Sequence, residues 1–190
     1  MLIPTSFITS KEAAYISKWN DTFHKMEYTI TAMQAQADAE IVKSFKKAKT
    51  NEERETLMMR LLKPYLRISE NDELKKKYTQ NFMNGTKVPK NDYYYFDNLY
   101  VGNNGKIIGF KDIQDEEIFL PAFIMLFDMN GIKGPNTWGK DIFGLNIYID
   151  GKVNPIGSGW EIPELQKDCS EHGTGVSCSH YYRIGGDFKE

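Results

Sequence analysis

The sequence predicts an α+β fold, with helices first and an antiparallel sheet after them, and three observations carry that prediction. The first half sets large apolar residues at steps of three and four, with neither glycine nor proline from residue 5 to residue 63. The second half is built of β-branched and aromatic runs punctuated by Asn-Gly and Asp-Gly dipeptides, the turns of tight hairpins. The last quarter holds both cysteines, Cys169 and Cys178, in a polar glycine-rich segment. At 190 residues the chain suits one domain with a helical spine over 1–68, a connector over 69–92 and a sheet-bearing head over 93–190.

Tyr15, Trp19, Phe23, Met26, Ile30, Met33, Ala37, Ile41 and Phe45 fall on one helical stripe. A helix over 10–47 would be about 55 Å long at the usual rise per residue, more than a compact domain of this size needs. Thr50-Asn51-Glu52-Glu53 has the form of a capping box and opens a second helix, with Leu57, Met58, Leu61 and Leu62 inward and an end near Pro64. The polar segment 69–92, broken by Asn84-Gly85 and Pro89, reads as a connector with a short helix near 71–80. Tyr93 to Val101 and Lys106 to Phe110 read as two strands joined at Asn103-Asn104-Gly105. Ile118 to Phe127 is apolar almost throughout, as a central strand is, with Pro121 pushing its start to an edge or bulge. Asp141 to Ile149 and Lys152 to Ile156 form a further pair around Asp150-Gly151.

The formal net charge is −2, which gives no electrostatic reason to expect nucleic acid or an anionic membrane surface as partner. Lys46, Lys47 and Lys49, and then Lys75, Lys76 and Lys77, lie among acids and read as solvated helix faces. No run in the chain reaches the roughly 20 apolar residues that cross a bilayer. The opening Met1-Leu2-Ile3-Pro4-Thr5 reads as the stub of a longer apolar segment.

Eight residues separate the two cysteines, and no second pair accompanies them to make a zinc or CxxC redox site. Their surroundings favour an exposed disulfide and an oxidising compartment, with two buried thiols as the alternative. Closing so short a loop contributes on the order of 2.5 kcal/mol through the unfolded state.

None of the three histidines, His24, His172 and His180, belongs to a recognisable catalytic pattern, and no phosphate-binding or nucleophile-elbow motif occurs. The reading is therefore non-enzymatic. The most unusual stretch runs from Phe127 to Phe143. Asp128-Met129-Asn130-Gly131 sets two hard oxygen side chains around a turn, and Asn136 and Asp141 can return further oxygens to the same point. Calcium takes six to eight oxygens, so these four residues are candidate ligands. The alternative is a structural loop in which Asp128 and Asn130 bond nearby backbone N–H groups and Lys133 neutralises a carboxylate. With Lys133 at the sixth position and Gly139 at the twelfth, the loop is no EF-hand. No other cofactor is indicated.

The segment Asp128 to Asn136, then Gly139-Lys140-Asp141-Ile142-Phe143, then Asp150-Gly151-Lys152-Val153-Asn154-Pro155 resembles bacterial prepilin-type proteins, relatives of type IV pilins and type II secretion pseudopilins. A closing pair of cysteines in a glycine-rich loop is similar to that group, as is a long helix followed by Lys63-Pro64-Tyr65-Leu66. The resemblance implies a pilin-like fold, a helical spine packed on an antiparallel sheet and closed by a C-terminal disulfide loop. It implies a structural subunit of a pilus or pseudopilus, partnered by other subunits and by inner-membrane assembly machinery. It further implies a periplasmic, cell-surface or extracellular location, and a methylated precursor held in the membrane by an apolar helix ahead of residue 1. The Gly-Phe-Thr-Leu-x-Glu processing motif of that group does not occur in this chain. On this view Tyr15, Trp19, Phe23 and Met26 form an assembly face, less buried than a core helix. The competing class is an exported binding module that uses exposed aromatics, Tyr93 to Tyr95, Trp138 and Trp160.

Overall fold

The computed structural model describes residues 10–36, 48–113, 121–148 and 150–186. Ala37, Ile41, Phe45, Lys46, Lys47, Ile149, the stub at Met1 to Thr5 and the expected strand start at Ile118 lie outside them.

Among the described residues the fold is α+β. Helix α1 (Ser10–Gln36) and helix α2 (Asn51–Leu66) come first. A six-stranded antiparallel sheet follows in chain order: β1 (Ser69–Glu70), β2 (Leu99–Val101), β3 (Ile107–Asp112), β4 (Phe123–Asp128), β5 (Ile142–Ile147) and β6 (Val153–Pro155). Short helices α3 (Asp72–Lys77), α4 (Ile162–Asp168) and α5 (Cys178–Tyr181) complete it. No helix among the described residues is long and apolar enough to cross a membrane.

Both faces of the sheet are covered. Phe110, Phe123, Met125, Phe127, Phe143 and Leu145 pack with Trp19, Phe23, Met26, Ile30 and Met33 of α1 and with Met58 and Leu62 of α2. On the other face Ile107, Ile124, Leu126 and Ile142 meet Leu74, Tyr78, Phe82, Val88, Phe96 and Trp138. Successive residues of a strand point to opposite faces, so a strand buried on both sides must be apolar at every position. That is why the run ending at Phe127 lacks alternation. It also recasts the connector: segment 69–92 supplies a second layer of the core.

Thr50 and Glu53 make the capping box, with Thr50 Oγ1 accepting from Glu53 N (3.2 Å) and Glu53 Oε2 accepting from Thr50 N (3.3 Å). Helix α2 continues past Pro64 to Leu66. The proline removes one intrahelical bond, but buried Leu66 and the Arg67 N to Lys63 O bond (3.0 Å) close the last turn. Arg54 Nε reaches Asp112 Oδ2 (2.9 Å), tying α2 to β3.

Tyr93 to Asn98 was expected as strand and is not; only Leu99–Val101 pairs. The amide side chain of Gln80 replaces a strand neighbour there, donating to Phe96 O (2.6 Å) and accepting from Phe96 N (3.2 Å). Lys111 Nζ takes the carbonyls of Asp92 (3.1 Å) and Tyr93 (2.9 Å). With Phe96 paired to the Gln80 side chain and the Tyr93 carbonyl to Lys111, the backbone there needs no strand neighbour.

Candidate functional site

Asp128 ends β4 and Asp141 precedes β5, so the hairpin brings the two acids to the same end of adjacent central strands. Both are 0% exposed. Asp128 Oδ1 accepts from Asn130 N (3.0 Å) and Gly131 N (2.9 Å), folding the loop's first turn around the carboxylate. Gly131 has φ +72°, and a Cβ there would stand 2.3 Å from Gly105 O, so no other residue fits. Asp128 Oδ2 accepts from the buried Tyr78 hydroxyl at 2.7 Å.

Asp141 gathers the returning end. Its Oδ2 accepts from Asn136 N (3.0 Å) and its Oδ1 from Thr137 N (2.6 Å), while Met129 N bonds its carbonyl (2.9 Å). Asn136 turns its own side-chain oxygen to Gly134 N (3.0 Å). Asn130 Nδ2 donates to Gly134 O (2.9 Å) and to the Tyr15 hydroxyl (3.2 Å), docking the loop on α1.

Burial pushes the Asp128 carboxyl up, and the neighbouring Asp141 adds to it, to about 7; the Tyr78 hydroxyl and the two N–H donors pull the other way. Burial also raises Asp141, against its bonds to Thr137 and Asn136. Lys133 is exposed and pairs with neither acid, so the expected neutralisation does not occur. Desolvation, with the neighbouring Asp141 carboxylate, lets Asp128 hold its proton to a higher pH than a free carboxyl does.

The four candidate calcium ligands thus share one loop in different roles. Asp128 and Asp141 sit within each other's field, Asn136 meets Asp141 through its backbone, and Asn130 bonds α1 and Gly134. Every carboxylate oxygen accepts at least one N–H or O–H donor, which is the geometry of a loop ordered by its own hydrogen bonds. No group of three or more His, Cys, Asp or Glu side chains placed to hold a metal occurs among the described residues. Sequence reading missed Tyr78, which lies 50 positions before Asp128 and carries no local motif.

Cys169 and Cys178 are bonded. The expected exposure of this staple is corrected, because both cysteines are 0% exposed. Met83 and Gly139 close over Cys178: a Cβ on Gly139 would stand 2.7 Å from its sulfur and 2.4 Å from Met83 Cε. Composition suggested a surface loop, but Asp168 satisfies its backbone, accepting from Thr174 N and Ser177 N at 2.9 Å each.

The expected exposure of the α1 stripe is corrected as well. Trp19, Phe23 and Met26 are enclosed by the chain's own sheet, and Tyr15 alone of the four is half-buried. Trp19 stacks on Phe143 (5.5 Å, 14°) and donates its Nε1 to Ser179 O (2.8 Å). Among the aromatics proposed for binding, Tyr93 is 44% and Trp160 40% exposed, while Tyr94 and Tyr95 are half-buried. Trp138 is fully buried beside Tyr94 and Phe96 and presents nothing to a partner.

No protein-family model, no curated protein and no solved structure matches this chain.

Proposed function

We propose that this chain is a structural, non-enzymatic subunit of a pilus or pseudopilus-type filament. The observation that carries the reading is a 27-residue helix, α1, laid by its apolar stripe along an antiparallel sheet ahead of a disulfide-closed C-terminal turn. The prepilin-like spacing over 127–156 agrees with it, since that segment builds the hairpin loop docked on α1. The disulfide suits an oxidising compartment, periplasmic or extracellular. Partners on this reading are other subunits and, for a membrane-anchored precursor, inner-membrane assembly machinery. No cofactor is assigned, and calcium at Asp128, Asn130, Asn136 and Asp141 is a question for titration.

With Trp19, Phe23 and Met26 occupied internally, contacts between subunits fall to the outer face of α1, where Lys18, Asp21, His24, Lys25 and Tyr28 are exposed. Tyr28 stands out at 75% exposure. The exposed Tyr93 and Trp160 favour the second reading, an exported module that binds a surface or ligand through its aromatics. The coding sequence upstream of Met1 separates the two. The filament reading expects an apolar run with a glutamate near its start, following a prepilin-type cleavage site. A cleavable secretory leader with no such run would contradict it.

A further inference from the structure

We infer that the C-terminal turn, Cys178 to Ile184, is a strap that locks the N-terminal half of α1 onto the sheet, its start fixed by the disulfide and the Asp168 carboxylate. The inference stands on contacts within one chain and does not depend on the filament reading. Ser179 is bonded to both layers: its carbonyl accepts from Trp19 Nε1 at 2.8 Å and its hydroxyl oxygen accepts from Gly144 N of β5 at 2.9 Å. The Tyr182 hydroxyl donates to Gly139 O (3.2 Å). The Arg183 guanidinium lies 3.7 Å over the Phe23 ring, and its Nη1 donates to Asn20 Oδ1 (3.4 Å). All of these contacts on α1 fall between Trp19 and Phe23. The far end of the helix is held elsewhere, by Gln34 Nε2 donating to Asp150 O (2.8 Å).

The start of the strap is closed twice. Cys178 is joined to Cys169, the residue that caps α4, and Asp168 accepts from the amides of Thr174 and Ser177. Cooperative units of a protein open locally when the contacts that hold them are few and shared. Trp19 to Phe23 and Cys178 to Ile184 share theirs, and their links to β5 run through side chains, Trp19 on Phe143 and Ser179 Oγ on Gly144 N. The two segments therefore open together while the backbone ladder of β3 to β5 stays paired.

Native-state hydrogen exchange tests this in the wild type, in Arg183→Ala, in Asp168→Asn and in the double variant Cys169→Ala/Cys178→Ala. Amides of residues 15–26 and 178–184 are expected to exchange on the order of tenfold faster in each variant, with β3 to β5 changed far less. Should the double variant fail to fold, Arg183→Ala and Asp168→Asn, which leave the disulfide in place, decide on the same readout. Exchange rising by one common factor in α1 and in β3 to β5, or no change in α1, would overturn the strap.

Discussion

Replacing Trp19 with alanine is expected to lower the unfolding free energy by about 3–5 kcal/mol, the range for losing a fully buried aromatic side chain. Its ring lies among Phe143, Phe23 and Phe127, at 5.5, 5.8 and 6.2 Å between centroids. Its loss empties the contact between α1 and the sheet and leaves the buried Ser179 carbonyl without its donor. Tyr28→Ala, on the opposite side of the same helix, is expected to change stability by no more than about 0.5 kcal/mol. Urea denaturation of the two variants beside the wild type measures both. A Trp19→Ala cost of about 1 kcal/mol or less would mean that α1 does not rest on the sheet as described.

Stability is expected to fall, rather than rise, as pH increases from about 4 to about 7. Asp128 has a pKa near 3.8 when unfolded and about 7 in the fold. Across that window the native state therefore keeps a proton that the unfolded chain releases, and the slope of stability against pH is negative. Below the window both states are protonated and the relative stabilisation is complete. It is lost as pH rises through the folded value. A displacement of about three units corresponds to roughly 4 kcal/mol as an upper bound, at about 1.4 kcal/mol per unit. Asp141, Glu55 and Asp112 are also raised, each chiefly by burial, and act in the same sense.

Asp128→Asn removes the titrating group while keeping an oxygen for the amides of Asn130 and Gly131, so its stability profile should be flatter between pH 4 and 7. Asp128→Ala leaves those two N–H groups and the Tyr78 hydroxyl unpaired, and should cost about 1–3 kcal/mol or more. The same variants test the metal reading. A cation that binds only the folded state raises the melting temperature with its occupancy. Millimolar calcium against chelator is expected to leave the melting temperature of the wild type unchanged, because the carboxylates already take donors. A rise in the wild type that vanishes in Asp128→Asn would establish a metal site instead.

What could be read from the sequence follows from how local each cause is. The Thr50–Glu53 cap, an antiparallel sheet after the helices and the pairing of Cys169 with Cys178 rest on short-range chemistry, and all are present. The pairing of Ser69–Glu70 as β1 in the supposed connector carried no such signal. The helical period also marked Trp19, Phe23 and Met26 as one face. It could not tell whether the chain's own sheet or a neighbour covers that face, because periodicity fixes a face and not its occupant. The cysteines are buried in a cluster that includes Met83, some 86 positions before Cys169, and the partner of Asp128 is Tyr78. The lost strand over Tyr93 to Asn98 has a similar origin: aromatic composition signals burial, whereas Gln80 and Lys111 supply the bonds that replace a ladder. Within the 128–141 loop, Asp and Gly at fixed spacing predicted the turn, and the hydrogen-bond directions needed coordinates.

The filament reading meets its most direct test in cells that make the protein, with a single cysteine placed on the outer face of α1 as Asp21→Cys. Surface material is sheared, sedimented and oxidised under mild conditions. The account predicts that the chain sediments in a filamentous fraction with other prepilin-class subunits and cross-links through position 21. A chain that stays soluble and monomeric, with no cross-linked product, would contradict it.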